Sequence, residues 1–175
     1  RLTHGLISKL EYIWILAQMY YLHKHQEQLW QNDCALSQLY DLKRYSRLEK
    51  IRDDLNTITI DHIPAIDSAT RNLQKQISKM YKENSFSLIG TLSVLESSRQ
   101  GFLYLSEPLM NDLSLQDFQD VSSYLYTPEP WYRDWYRFKE CISRIDDLPQ
   151  QLESISYAAV AAFEGMIEIY KTKPV

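Results

Sequence analysis

From Leu6 to Trp30 the chain runs without a Gly or a Pro, and its apolar residues return at helical spacing: Leu6, Leu10, Ile13, Trp14, Ala17, Tyr20, Tyr21 and Leu29. A run of that length and period predicts a helix, because strands alternate and seldom exceed ten residues. The 175 residues hold 4 Gly and 6 Pro, too few for the frequent turns of an all-β chain. Asn32 and Asp33 stop the first helix and can cap the next one. Further helices are expected over Ala35 to Tyr45, Ser46 to Leu55, and Ala65 to Tyr81, the last with Ile66, Leu73, Ile77 and Met80 on one face. The stretch Asn56 to Pro64, with β-branched residues, an Asp and a Pro, reads as a connection. A long apolar segment, Phe86 to Leu105, ends at Pro108. Leu113 to Tyr124 predicts a short surface helix with Ser114 as its N-cap, and Thr127-Pro128-Glu129-Pro130 breaks the chain. Trp131 to Ile145 is helical, aromatic and basic. Leu148-Pro149 opens a last helix to about Tyr170, with Ile155, Ala159, Ala162, Phe163 and Ile167 expected inward. No repeat, low-complexity tract or linker divides the chain, so the expectation is all-α, a single-domain helical bundle.

Composition narrows the function classes. At 45% hydrophobic and 24% charged residues the chain is a globular protein rather than a disordered one. A formal net charge of -4 gives no overall basic field for a nucleic-acid backbone. Lys43, Arg44, Arg47, Lys50 and Arg52 alternate with Asp41, Glu49, Asp53 and Asp54, which reads as a solvated helix face. No apolar run reaches the roughly 18 residues of a membrane span. Cys34 and Cys141 have no metal-ligand spacing and read as free thiols of a reducing, cytoplasmic compartment.

Catalytic motifs are scarce. There is no Gly-rich phosphate loop, nucleophile elbow or HExxH. A helical di-iron site would need Glu-x-x-His pairs, and none occurs. Among His4, His23, His25 and His62, His23 stands one turn from Glu27, a pair common on exposed helices; no metal site is expected. Gly90 and Gly101 sit inside the apolar segment, where a helical Gly costs about 1 kcal/mol relative to Ala. Each needs a packing or functional reason.

Val94-Leu95-Glu96-Ser97-Ser98-Arg99-Gln100-Gly101 resembles the distal-helix segment of bacterial biliverdin-producing haem oxygenases, whose usual pattern reads V-L-E-G-S-x-x-G-G. Gly90-Thr91-Leu92-Ser93 resembles the small-residue approach to it. Gly5-Leu6-Ile7-Ser8 with Tyr12, Leu16, Ala17 and Tyr20 is similar to the family's second helix. Arg47 to Leu55 resembles its R-x-x-x-L-x-x-D-L stretch. Trp135 and Phe138, followed by Ala159-Val160-Ala161-Ala162-Phe163, resemble its C-terminal helices. The similar segments come in the family's order along nearly the whole chain, which implies a helical bundle of the haem oxygenase type.

The resemblance implies haem as both substrate and cofactor, lying between a proximal helix that supplies a His to iron and a distal helix whose glycines admit the porphyrin face. It implies cleavage of haem to biliverdin, iron and CO, with electrons from a donor protein; the charge balance and the lack of a long apolar run add the expectation of no nucleic-acid and no membrane partner. Carried over by position, Ser98 and Gly101 are the expected catalytic-helix residues: Ser98 to anchor distal water, Gly101 to let the backbone approach haem. Ser97, Gly101 and Phe102 are expected against haem, and Arg137 and Lys139 against its propionates, with Arg133 beside them. The sequence departs from the pattern at Ser97, where the first distal glycine is expected, at Phe102 in place of the second glycine of the final pair, and at Ser93 in place of a Tyr. The proximal His belongs on a helix upstream of Gly5, and His4 lies too close to the second helix to take its place. Haem oxygenase activity is therefore expected if a His precedes Arg1.

Other readings stand beside this one. Gly101 can serve a helix–helix contact, Ser97 and Ser98 can bond back to carbonyls one turn earlier, and Glu96 can pair with Arg99 on the surface. The Trp131–Lys139 cluster can be core on one face and rim on the other. The alternative function is a catalytically inactive member of the fold acting as a protein-binding or regulatory module; a metal-dependent oxidase is disfavoured by the missing Glu-x-x-His.

Overall fold

The computed structural model describes residues 8–58, 63–98 and 131–173, all helical or connecting. Seven helical stretches lie within them: α1 (Lys9–Asn32), α2 (Cys34–Leu39), α3 (Leu48–Ile58), α4 (Ser68–Glu83), α5 (residues 87–98), α6 (Trp131–Ser143) and α7 (Leu148–Lys171). The expected Leu113–Tyr124 helix and the connection at residues 59–62 fall outside the described residues. No described helix is long and apolar enough to cross a membrane.

α1 starts on a capping box. The Glu11 amide donates to Ser8 Oγ at 3.2 Å, and the Ser8 amide donates to Glu11 Oε2 at 2.7 Å, satisfying two of the orphan donors of a helix start. Asp33 then serves two helices, ending α1 by donating its amide to the Trp30 carbonyl and capping α2 by accepting from the Leu36 amide. Between these ends α1 is buried on most of its circumference, from Tyr12 and Leu16 to Leu22 and Trp30. It packs on α2, α3 and α4, and α4 packs on α7.

Two buried glutamines of α1 fix its neighbours. Gln18 accepts from the Asp67 amide and the Thr70 hydroxyl and donates to the Ala65 carbonyl, which sets the start of α4. Gln26 donates to the Leu88 carbonyl at 2.7 Å and accepts from Thr91, which sets α5. A buried amide with all its partners in place specifies one arrangement, since any slip strands a polar group in the core.

The C-terminal end returns to the start of α1. Lys173 Nζ donates to Glu11, and that contact, with the Ser8 hydrogen bonds, holds the Glu11 carboxyl down at about 2 against the opposing effect of burial. A lowered carboxylate pKa contributes stability above its unfolded value that is lost as pH falls. The E11Q variant, which can still close the capping box, is therefore expected to melt below wild type at neutral pH. The gap in Tm should close as pH drops from roughly 5 towards 2; a gap independent of pH would mean the ion pair contributes nothing.

Several expectations change. α2 ends at Leu39 instead of Tyr45, because Tyr40 turns extended and buries its ring between Trp30, Tyr45 and Phe138. His23 and Glu27 are both buried rather than exposed, as are Arg47 and Asp54 of the supposedly solvated run. On α7 the inward face is Ala158, Ala161, Ala162, Met166 and Ile169. Phe163 and Ile167, expected inward, are 59% and 40% exposed. The small face is inward because it lets neighbouring helices approach closely, which leaves Leu152, Val160, Phe163 and Ile167 as an outward apolar stripe.

Candidate functional site

α5 carries the segment that the sequence singles out, and each of its faces has a distinct partner. Asn84 opens it by accepting from the Phe86 amide. Gly90 lies against α7: a Cβ built there would stand 2.0 Å from the Ile155 carbonyl oxygen and 2.9 Å from the Ala159 nitrogen. The reason for this glycine is a backbone-to-backbone contact between helices. Farther along, the Ser93 hydroxyl bonds back to the Ile89 carbonyl, the behaviour considered for Ser97 and Ser98. Ser98 instead points at α7, its Oγ 3.7 Å from the Met166 sulfur, while Ser97 is exposed. Gly101, Phe102 and Arg99 lie outside the described residues.

Glu96, one residue before this pair, anchors the helix. Arg47 meets it with a two-pronged contact, Nε and Nη2 each 3.2 Å from a carboxylate oxygen. The same guanidinium lies 3.6 Å from Asp134 at the start of α6. The Arg47 amide donates to Glu27 of α1, which also accepts from the Ser46 hydroxyl at 2.5 Å. Four elements, α1, the α2–α3 connection, α5 and α6, thus meet at one buried arginine.

The charges here are largely withdrawn from water, Asp134 least so. Burial pushes the Glu27 carboxyl up, opposed by its hydrogen bonds from Ser46, Arg47 and Leu48 and aided by the nearby Glu96. Burial alone would push Arg47 down, but Glu96 and Asp134 outweigh it and its pKa is raised. Burial and the Glu96 charge likewise raise the Tyr40 phenol. A cavity of about 10 Å³ lies among Tyr40, Tyr45, Arg47, Glu96, Asp134 and Phe138, room for one water with several polar partners.

The two expected basic residues leave α6 in different directions. Arg137 donates to the Tyr45 hydroxyl at 3.0 Å. Lys139 lies over the Tyr136 ring at 4.4 Å and the Trp135 ring at 5.7 Å. Both are exposed, and Phe138 between them is buried, so α6 is core on one face and rim on the other. Glu96 takes Arg47 as a partner from another helix, which sequence spacing alone does not reveal. One signal did point there: Arg47, Ile51, Asp54 and Leu55, at positions i, i+4, i+7 and i+8, are all buried. They are the written positions of the R-x-x-x-L-x-x-D-L resemblance, with Ile for its first Leu.

Neither described histidine is set to bind iron. His25 is tied to Ser78 Oγ at 2.8 Å and kept below its usual pKa by burial; His23 is buried within the core and engaged there. Among the described residues no group of three or more His, Cys, Asp or Glu could hold a metal ion. Cys34 and Cys141 are free thiols.

No protein-family model matches the sequence, and no curated protein matches it. The structure does have a solved neighbour. It superposes on the structure of haem oxygenase from Leptospira interrogans with a TM-score of 0.82, over 97% of this chain and 86% of that one, at 17% sequence identity. The chain has the all-α haem oxygenase fold.

Proposed function

We propose that this protein binds haem as its substrate and cleaves it oxidatively to biliverdin, iron and CO, drawing electrons from a donor protein. The observation that carries the reading is the superposition of nearly the whole chain on a haem oxygenase, with Val94–Ser98 of the distal-helix resemblance on α5. Bound haem would supply the iron at which oxygen is reduced, and the protein's part is to orient and hydrate the ring. In this reading Ser97 and Ser98 line the distal side with small polar groups. The Ser98 hydroxyl, whose partner is a thioether, is a weakly held donor and can turn to order a water. Gly101 would admit the ring, Phe102 would border it, and Arg137 and Lys139 would pair with the propionates from the rim. The axial His has to come from outside the described residues.

A second reading, a non-enzymatic binding module, is favoured by the apolar stripe of α7, since surface hydrophobics gathered on one face mark interaction sites. A haemin titration separates the two. The first reading expects a saturable Soret band that is lost under reductant and oxygen as biliverdin absorbance grows. It also expects R137A and K139A each to weaken haemin binding by up to about fivefold, the scale of an exposed ion pair. No Soret shift at micromolar haemin would end the catalytic reading and leave the module.

A further inference from the structure

The outer face of α4 carries a row of cations over three turns. Arg71, Lys75, Lys79 and Lys82 follow one another at intervals of four, four and three residues, so they share one face over about 16 Å of helix. All four are exposed. Lys79 reaches Glu83 at 4.0 Å, the outer limit of an ion pair; among the described residues Arg71, Lys75 and Lys82 meet no carboxylate. On other helices Arg52 has Glu49 a turn away, Arg144 has Glu140 and Lys171 has Glu168, while Arg137 and Lys139 of α6 meet aromatic groups. Like charges one turn apart destabilise a helix, and the chain's net charge of -4 shows that the stripe is not a by-product of a basic protein.

The stripe forms one wall of an open cleft of about 460 Å³ between α4 and α1, with His25, Gln74 and Ser78 on its floor. The floor is held in place. His25 bonds to Ser78 and to the Gln74 backbone, and the Gln74 side chain donates to the Tyr21 carbonyl at 2.8 Å. The cleft is therefore a preorganised surface of cations and hydrogen-bond donors with no carboxylate on it, built for an anion.

We propose that this face docks a protein partner presenting carboxylates at helical spacing. Small-molecule sites are enclosed and mostly apolar, whereas this cleft is open and polar. No Phe, Tyr or Trp lines it to stack a nucleic-acid base, and no apolar side chain lines it to enter a membrane surface. Cations one turn apart match carboxylates one turn apart on an opposing helix, and such complementarity acts through steering and orientation. The proposal stands apart from the haem reading, and either can fail alone.

The test is fluorescence anisotropy of a labelled alanine-rich helical peptide carrying Glu at every fourth position, with the whole protein at low ionic strength. Saturable binding is expected, weakened about tenfold or more by K75E/K79E, since like charges brought together at an interface are strongly unfavourable, and weakened also by added salt. The reversed charges sit one turn from Arg71 and Lys82, and the pairs gained there offset the Lys79–Glu83 contact that is lost, so circular dichroism should be unchanged; K75Q/K79Q serves if that variant does not fold. A control reversal elsewhere, K43E/R44E, should leave binding within about twofold if the α4 face is responsible. Absence of saturable binding, an equal loss in the control, or tighter binding to single-stranded oligothymidylate would each overturn the proposal.

Discussion

Replacing Arg47 with Ala should cost about 3–5 kcal/mol of folding free energy, the range for removing one partner of a buried ion pair. That is a large share of the roughly 5–15 kcal/mol that holds a domain folded. The loss comes less from the contact removed than from the carboxylates stranded by it. Glu96 and Asp134 lose the Arg47 cation with side chains only 13% and 20% exposed, and the repulsion between Glu96 and Glu27 is no longer offset by it. R47K keeps the charge but not the fork that meets both Glu96 oxygens, so about 1–2 kcal/mol is expected. R52A, which breaks an exposed pair five residues on, should cost under about 1 kcal/mol. Urea unfolding of the three variants gives the order. The pH dependence supplies an internal check. In R47A Glu27, which burial and Glu96 already push up, keeps those neighbours without the arginine beside them, so the penalty is present at neutral pH and fades as it protonates. The difference from wild type should narrow on acidification. An R47A deficit equal to that of R52A, or one that does not narrow, would mean that Arg47 is solvated after all.

Arg47 and Arg52 also show how far the sequence could be read. Both sit in one run of alternating charges, and charge alternation alone assigns both to solvent. What separates them is register with α3: Arg47, just before its first residue, falls in line with the buried Ile51 and Leu55, and Arg52 does not. The period was legible, but a charged residue in an apolar stripe is read as an interruption until its partners are known. Those partners, Glu27, Glu96 and Asp134, come from three other helices, and sequence spacing carries no information about such pairings. Among the described residues the helix order was legible because Gly and Pro are few and a cap such as Asp33 stands at a boundary. The buried face of α7 was not. Its stripe of Phe163 and Ile167 is as periodic as its stripe of Ala and Met, and hydrophobicity favours the wrong one. Close helix approach, which depends on side-chain size rather than polarity, decides that face. Ser98, Arg137 and Lys139 were singled out by the resemblance alone, and their separate surroundings were not legible in the sequence.

Gly90 gives the second large effect, and Gly165 gives its control. In G90A the new methyl would overlap the Ile155 carbonyl oxygen at 2.0 Å and crowd the Ala159 nitrogen at 2.9 Å. Both obstacles are backbone of α7, which cannot rotate aside, so α5 and α7 must separate. Overpacking a core usually costs about 1–3 kcal/mol, and with a rigid obstacle the upper end or more is expected. For a protein of this size that is a fall in Tm of roughly 6–12 °C. In G165A the methyl would meet the Leu73 methyls at 2.7 and 2.9 Å. A leucine end can turn away, and Ala gains about 1 kcal/mol over Gly in a helix, so the net change should be near zero. Truncating the neighbour discriminates further. The I155A change should not rescue G90A, because the obstacle is a carbonyl rather than a side chain. The displacement should also reach the ionic cluster, since Gly90 and Glu96 ride on the same helix. G90A and R47A together should therefore cost less than the sum of their separate losses, as expected of sites coupled through one shifted element. Additive losses would mean that α5 bends between them, and the close contact at Gly90 would then have no part in holding Glu96, Ser97 and Ser98 in place.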